Sequence, residues 1–100
     1  MNAKQIISEL NARGAKFVVN TNIMYGRGIN GIGFDSYIPN EELSSGMKVY
    51  RTFEPNDDCL VITERYEPEE PICASKQKPY TRKKYMDYDK ITYITEIVED

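Results

Sequence analysis

Histidine and tryptophan are both absent from this chain of 100 residues. Histidine is the most common general base, a frequent metal ligand and the side chain that titrates nearest to neutral pH. Its absence excludes Ser-His-Asp and Cys-His catalysis, so any reaction would depend on Asp, Glu, Lys, Tyr or Cys. The composition therefore favours a binding protein over an enzyme.

Cysteine is also scarce, with only Cys59 and Cys73 in the chain. Two widely spaced cysteines are too few for a disulfide framework, and a zinc site would need carboxylates beside both thiols. We expect two free thiols, with a single bridge as the alternative. We expect neither a metal nor a cofactor.

Long hydrophobic runs are missing as well. No segment approaches the roughly 20 apolar residues of a transmembrane helix, and no hydrophobic signal segment precedes the first charges. The chain is 40% hydrophobic and 29% charged with a net charge of −3, which is ordinary for a globular domain. We therefore expect a single cytoplasmic domain over residues 1–100 that does not bind a membrane.

One ten-residue segment, residues 25–34, holds four of the six glycines. Three of them match the G-x-G-x-x-G spacing of phosphate-binding loops: Gly26, Gly28 and Gly31. A dinucleotide-binding loop must follow a strand and open a helix. The residues after the glycines instead alternate between apolar and polar and end at Pro39, which predicts a strand.

We therefore expect the glycine-rich segment to be a turn or bulge between two strands. The alternative is a nest of backbone amides that binds an anion with help from Arg27. A small enzyme is a third hypothesis, in which Asp35 and either Tyr25 or Tyr37 would be the reactive groups. No spacing among these residues specifies a reaction.

The amino terminus has the pattern of a short amphipathic helix over residues 3–13. Asn2 and Gln5 have the spacing of a capping box, and Gly14 can adopt the left-handed conformation that ends a helix. Apolar residues recur at helical spacing, which predicts one buried face. The residues of that face are Ala3, Ile6, Ile7 and Leu10.

The remaining hydrophobic pattern predicts strands. The expected strands cover residues 16–24, 33–38, 47–53, 59–66 and 91–98, with a helical turn at residues 40–46 and an irregular basic segment at residues 67–90. Residues 47–53 alternate strictly, except that Arg51 falls among the apolar side chains. These elements predict an α+β fold in which the helix packs on a single four- to five-stranded, mainly antiparallel sheet.

Charge is segregated along the chain. Residues 54–70 include seven acidic residues and one basic residue, whereas residues 76–84 include five basic residues and no acidic one. An acidic hairpin can dock into a basic groove, and tyrosine, with eight residues here, is favoured at protein interfaces. The predicted protein-binding residues are Glu54, Asp57, Asp58, Glu64, Tyr66 and Glu67.

This pattern indicates a non-enzymatic inhibitor or adaptor whose partner is a protein with a basic groove. Virus-encoded inhibitors of restriction and CRISPR systems are one class with this size and mode of binding. The sequence does not specify the oligomeric state.

The basic segment supports an alternative function. Cations between tyrosines suit a nucleotide or a single-stranded nucleic acid, because cations bind phosphates and aromatic rings stack on bases. A solvated segment whose charges pair with the acidic hairpin explains the same pattern without a ligand. The predicted phosphate or nucleic-acid contacts are Gly26, Arg27, Gly28, Gly31, Lys76, Lys78, Tyr80, Arg82, Lys83, Lys84 and Tyr85.

Overall fold

A computed structural model describes residues 1–28, 31–68 and 78–99, and for residues 25–28 and 31–32 it describes the backbone only. It contains one helix, seven strands and one 3₁₀ turn in these ranges. In chain order they are α1 (Ala3–Ala12), β1 (Lys16–Gly28), β2 (Gly31–Tyr37), β3 (Asn40–Glu42), β4 (Met47–Pro55), β5 (Cys59–Pro68), β6 (Tyr80–Asp87), the 3₁₀ turn (Tyr88–Lys90) and β7 (Ile91–Ile97).

The strands form two antiparallel sheets. Sheet A has the order β2-β1-β7, and sheet B has the order β3-β4-β5-β6. Strand β2 leads into β3 through Ile38 and Pro39, and β6 leads into β7 through the 3₁₀ turn. Neighbouring strands therefore follow one another along the chain, and β7 pairs with β1.

The α+β class is confirmed, but the expected single sheet is wrong, because the strands divide into two sheets. Strand β6 lies in the segment that we expected to be irregular. On the strand face that carries buried Met86, two positions are exposed Arg82 and half-buried Lys84, so the segment lacks the apolar alternation that marks a strand. The helical turn expected at residues 40–46 is also wrong, since Asn40–Glu42 pairs with β4 as a short strand.

The local signals at the amino terminus are confirmed. The Asn2 side chain accepts a hydrogen bond from the Gln5 amide at 2.9 Å, and the Gln5 side chain accepts one from the Asn2 amide at 3.0 Å. Gly14 ends the helix with φ of 68°, a conformation that costs glycine little. The helix therefore begins and stops where its caps dictate.

The main core joins α1 to both sheets. Leu10 of the helix is 5% exposed and belongs to the same cluster as Phe17 of β1 and Phe53 of β4, whose rings lie 5.0 Å apart. Burying this apolar stripe stabilises a helix that is too short to persist alone in water. The buried members of the cluster are Ile7, Leu10, Phe17, Val19, Tyr37, Phe53, Leu60, Ile62 and Met86.

We expect Leu10→Ala to lower the free energy of unfolding by about 2–5 kcal/mol, because it leaves a cavity between the helix and the sheets. Glu9→Ala is the matched control on the exposed side of the same helix and should change stability by less than about 0.5 kcal/mol. Urea unfolding followed by circular dichroism measures both. Equal stability of Leu10→Ala and the parent would contradict this packing.

Candidate functional site

The core-facing side of sheet B has a charged layer between two apolar groups. Phe53 and Ile62 belong to the main core, whereas Val49 and Tyr66 belong to a second cluster with Met47. Between these pairs, Arg51 of β4 lies directly opposite Glu64 of β5. The sequence signal for this layer is the charge at Arg51 within an otherwise apolar alternation.

Glu64 is the centre of the layer and is 0% exposed. Its carboxylate accepts a hydrogen bond from Arg51 Nε at 2.7 Å and one from the Tyr66 hydroxyl at 3.2 Å. Lys84 Nζ lies 3.4 Å from the same carboxylate. A buried carboxylate is tolerated only when it is paired and hydrogen-bonded in this way.

Arg51 extends the layer to the edge of sheet B. Its side chain is 8% exposed, and Nη1 donates to the Ile38 carbonyl at 3.1 Å and to Glu41 at 2.8 Å. The guanidinium therefore joins β4 to β3 and to the connection that leaves sheet A. Four charges, those of Glu41, Arg51, Glu64 and Lys84, balance within the layer.

Aromatic rings surround these charges. The Tyr37 ring of sheet A lies 5.6 Å from the Arg51 guanidinium and 5.1 Å from Lys84 Nζ. The Tyr66 ring stacks on Tyr80 with centroids 4.6 Å apart. Cation–π contacts of this kind strengthen as the cation loses water, so Tyr37 holds the two sheets together through the charged layer.

The pKa of Glu64 reflects two opposing effects, burial and the neighbouring cations. Burial by itself raises the pKa of this carboxyl, but the hydrogen bond from Arg51 and the charge of Lys84 outweigh it, so the pKa lies below its ordinary value. Burial and the charge of Glu64 raise the pKa of Tyr66. Both shifts move the groups away from neutral pH, which is the behaviour of a structural ion pair and not of a general acid or base.

Glu64→Gln should lower the free energy of unfolding at pH 7 by about 3–5 kcal/mol, because it leaves the buried Arg51 without its main counter-charge. A depressed carboxyl pKa stabilises the fold above the unfolded value of about 4.3, and this stabilisation is lost as pH falls through the lower folded pKa. The parent should therefore lose more stability than the variant between pH 5 and about pH 3.

Urea unfolding at several pH values measures this difference. Glu67→Gln is the control, because Glu67 pairs with Arg65 at the surface at 3.4 Å and should contribute less than about 1 kcal/mol. Equal effects of the two variants would contradict a special role for the buried pair.

The hairpin turn between β4 and β5 carries the exposed carboxylates. Glu54, Asp57 and Asp58 are exposed there, and Asp57 pairs with Lys4 of the helix at 2.7 Å. The pairing of Cys59 with Asp87 brings a carboxylate of β6 to the same end. The Tyr88 hydroxyl donates to the Asn56 carbonyl and holds the 3₁₀ turn, with Asp89, against the hairpin.

We call this surface the acidic end; it consists of Glu54, Asp57, Asp58, Asp87 and Asp89. The other predicted protein-binding residues lie elsewhere. Glu64 and Tyr66 are buried in the charged layer, and Glu67 lies towards the opposite end of β5. The sequence therefore predicted a continuous acidic hairpin, but the fold separates its charges and adds Asp87 and Asp89 to the exposed group.

The predicted basic residues lie on strand β6 and in the segment that precedes it. In the described ranges β6 pairs only with β5, so it lies at the edge of sheet B. Lys84 belongs to the charged layer, and Lys76 lies outside the described residues. The exposed members are Lys78, Tyr80, Arg82, Lys83 and Tyr85, which we call the basic edge.

The predicted phosphate-binding glycines lie in the paired ends of β1 and β2. Gly28 pairs with Gly31, and Gly26 pairs with Gly33. No helix follows the segment among the described residues, because the next element is strand β2. The backbone thus fits the expected connection between two strands, whereas the Arg27 side chain lies outside the described atoms.

The groups proposed for a small enzyme lie on two neighbouring strands, Tyr25 on β1 and Asp35 and Tyr37 on β2. Tyr37 is buried between two cations, and Asp35 contributes its carbonyl to a hydrogen bond from Thr21 at 2.8 Å. The Tyr25 side chain lies outside the described atoms. Cys59 is a half-buried free thiol, while Cys73 lies outside the described residues.

No protein-family model, curated protein or solved structure matches this chain. Within the described ranges, no three metal-ligating side chains come together, and no helix has the length and hydropathy needed to cross a membrane. Proposals about function therefore depend on the surfaces of the molecule itself.

Proposed function

We propose that the protein is a small non-catalytic inhibitor or adaptor that binds a protein partner through its acidic end. The observation that carries the proposal is the gathering of five carboxylates from two chain segments at one end of sheet B. Asp57 is paired with Lys4 at the surface, where such a pair is screened and weak. Lys90 follows Asp89 in the same 3₁₀ turn, so the five carboxylates together with Lys4 and Lys90 leave this end with a net charge of −3.

Tyr85 supplies an aromatic contact beside these charges. It is 70% exposed. It lies opposite Val61 of β5, which in turn lies opposite Glu54 of β4, so the three residues form one row across sheet B. Tyr85 is also two residues from Asp87. A rigid aromatic ring bordered by carboxylates can fill a pocket while the charges steer association.

A basic groove, such as one that binds nucleic-acid phosphates in another protein, is the partner surface with matching charge. Occupying such a groove would exclude its usual ligand, which is how an inhibitor of this kind would act. A cytoplasmic setting, where free thiols such as Cys59 persist, is part of the proposal.

Neutralising the acidic end provides the test. We expect the triple variant Glu54→Gln, Asp57→Asn, Asp58→Asn to slow association with the partner captured from host extract by about tenfold at low salt. It should also flatten the salt dependence, while the melting temperature should change little because these side chains are exposed. Surface plasmon resonance over a salt series measures both rates.

The matched control is Lys78→Gln, Lys83→Gln, which removes exposed charge of the opposite sign from the basic edge. It should leave association with the same partner within about twofold of the parent. An acidic-end variant that associates like the parent would refute the proposal.

The basic edge favours a second candidate function, binding of single-stranded nucleic acid or a nucleotide. Its support is the placement of Arg82 and Lys83 on the edge strand β6, with Lys78 two residues before it and the exposed rings of Tyr80 and Tyr85 on it. Cations can neutralise phosphates there while bases stack on the rings. This candidate requires the basic edge and not the acidic end.

For this function, we expect Lys78→Gln, Lys83→Gln to weaken binding of a fluorescent oligothymidylate and to reduce the salt slope by about 0.7 for each lost phosphate contact. Lys84 is a poor probe because its amine contacts buried Glu64. Fluorescence anisotropy measures the affinity, and the acidic-end variant should bind at least as tightly as the parent. Failure of the parent to bind the oligonucleotide would eliminate single-stranded nucleic acid as the ligand.

A further inference from the structure

Strand β6 is the longer of the two edge strands of sheet B, and no proline interrupts it. In the described ranges it pairs with β5 alone, and its backbone forms no hydrogen bond to other backbone groups outside that ladder. Every second residue of an antiparallel edge strand directs its amide and carbonyl away from the neighbouring strand. Half of the eight residues of β6 therefore present a row of main-chain donors and acceptors.

A cleft of about 420 Å³ lies beside this strand and is lined by residues of both sheets. Ile23 and Tyr37 of sheet A form one wall, and buried Met86 of β6 lies in the other. The charged residues that line the cleft are Lys84, Asp87 and Lys90. A segment placed along β6 can therefore insert an apolar side chain between the sheets while its backbone bonds to the edge.

The charges on β6 determine which kind of segment fits. Lys84 is balanced by buried Glu64, and Asp87 lies at the end of the strand. Arg82 and Lys83 are exposed, and neither forms an ion pair within the described ranges. Lysine on an edge strand discourages pairing with further copies of the same strand. An acidic segment, by contrast, is attracted to these cations.

The main-chain groups of β6 favour a peptide over a nucleic acid at this edge. A peptide backbone supplies both a donor and an acceptor at each residue, which match the row along the strand. Phosphate oxygens accept hydrogen bonds but donate none, so they would contact the cations and leave the carbonyls of β6 to water.

We propose that the edge of β6 binds an acidic segment of a partner protein in the extended conformation, which joins sheet B as a further strand. Lys83 and Met86 lie on opposite faces of β6. Acidic side chains on one face of the segment contact Lys83, and apolar side chains on the other face enter the cleft beside Met86. The contact uses the basic edge and not the acidic end, so it does not depend on the proposed function.

Fluorescence anisotropy of the full chain with a labelled octapeptide of alternating glutamate and valine tests the proposal. We expect a dissociation constant below about 1 mM at low salt. An octapeptide with lysine in place of glutamate should show no measurable binding, because it repels the exposed cations. One with serine in place of valine should bind at least about fivefold more weakly, because its side chains bury less apolar surface in the cleft.

Methylated peptides test the main-chain contact separately from charge. N-methylation of the glutamates or of the valines removes the amide donors from one edge of the extended peptide or from the other. One of these peptides should bind at least about tenfold more weakly than the parent peptide, and the other should change less than about threefold. In the complex, hydrogen exchange followed by NMR should slow at alternate amides of β6.

Lys83→Gln tests the contact from the side of the protein. It should weaken binding of the glutamate–valine peptide about threefold at low salt, because an exposed charge pair contributes little more than this. Lys16→Gln is the matched control, since it removes an exposed strand lysine from sheet A. It should bind the peptide like the parent protein.

Three results would overturn the proposal. Binding of an oligothymidylate without any binding of the glutamate–valine peptide at about 1 mM would assign the edge to a nucleic acid, and binding of neither would leave it without a ligand. Equal effects of the two methylated peptides would reduce the contact to an ionic one. Equal losses in Lys83→Gln and Lys16→Gln would place the peptide elsewhere.

Discussion

The buried ion pair between Arg51 and Glu64 is the interaction on which the rest of the structure depends. Through it and its neighbours, β4 is joined to β5, β6 and β3, and to the Ile38 carbonyl at the corner between the sheets. It also fixes the register of the central hairpin, since a slip of one residue would turn Glu64 outwards and leave Arg51 buried without a partner. Such a slip would be heavily penalised.

The same pair decides which charges remain for function. Glu64, Tyr66 and Lys84 have the residue types of binding groups, but the charged layer uses them to hold the sheets together. The charges available to a partner are thereby divided between the acidic end and the basic edge. This separation gives the molecule two surfaces of opposite sign.

Local signals predicted the local structure. The capping box of α1, the turn between β4 and β5 and the burial of Leu60, Val61 and Ile62 all follow from neighbouring residues. Strand β6 was missed because the contacts that stabilise it come from residues far away in the chain. Its Arg82 and Lys84 side chains are acceptable only because Glu64 and the tyrosine rings meet them from other strands, which no local pattern reveals.

The sequence by itself determined the α+β class, the helix and the central hairpin, and it located the segregated charge. It also excluded histidine-based chemistry. Only the tertiary structure decided that the strands form two sheets, that Asp87 and Asp89 join the exposed acids, and that Asn20 is hydrogen-bonded to Ser36 and Thr95. The reason is that caps and turns depend on residues a few positions apart, whereas pairing across strands depends on residues far apart in the chain.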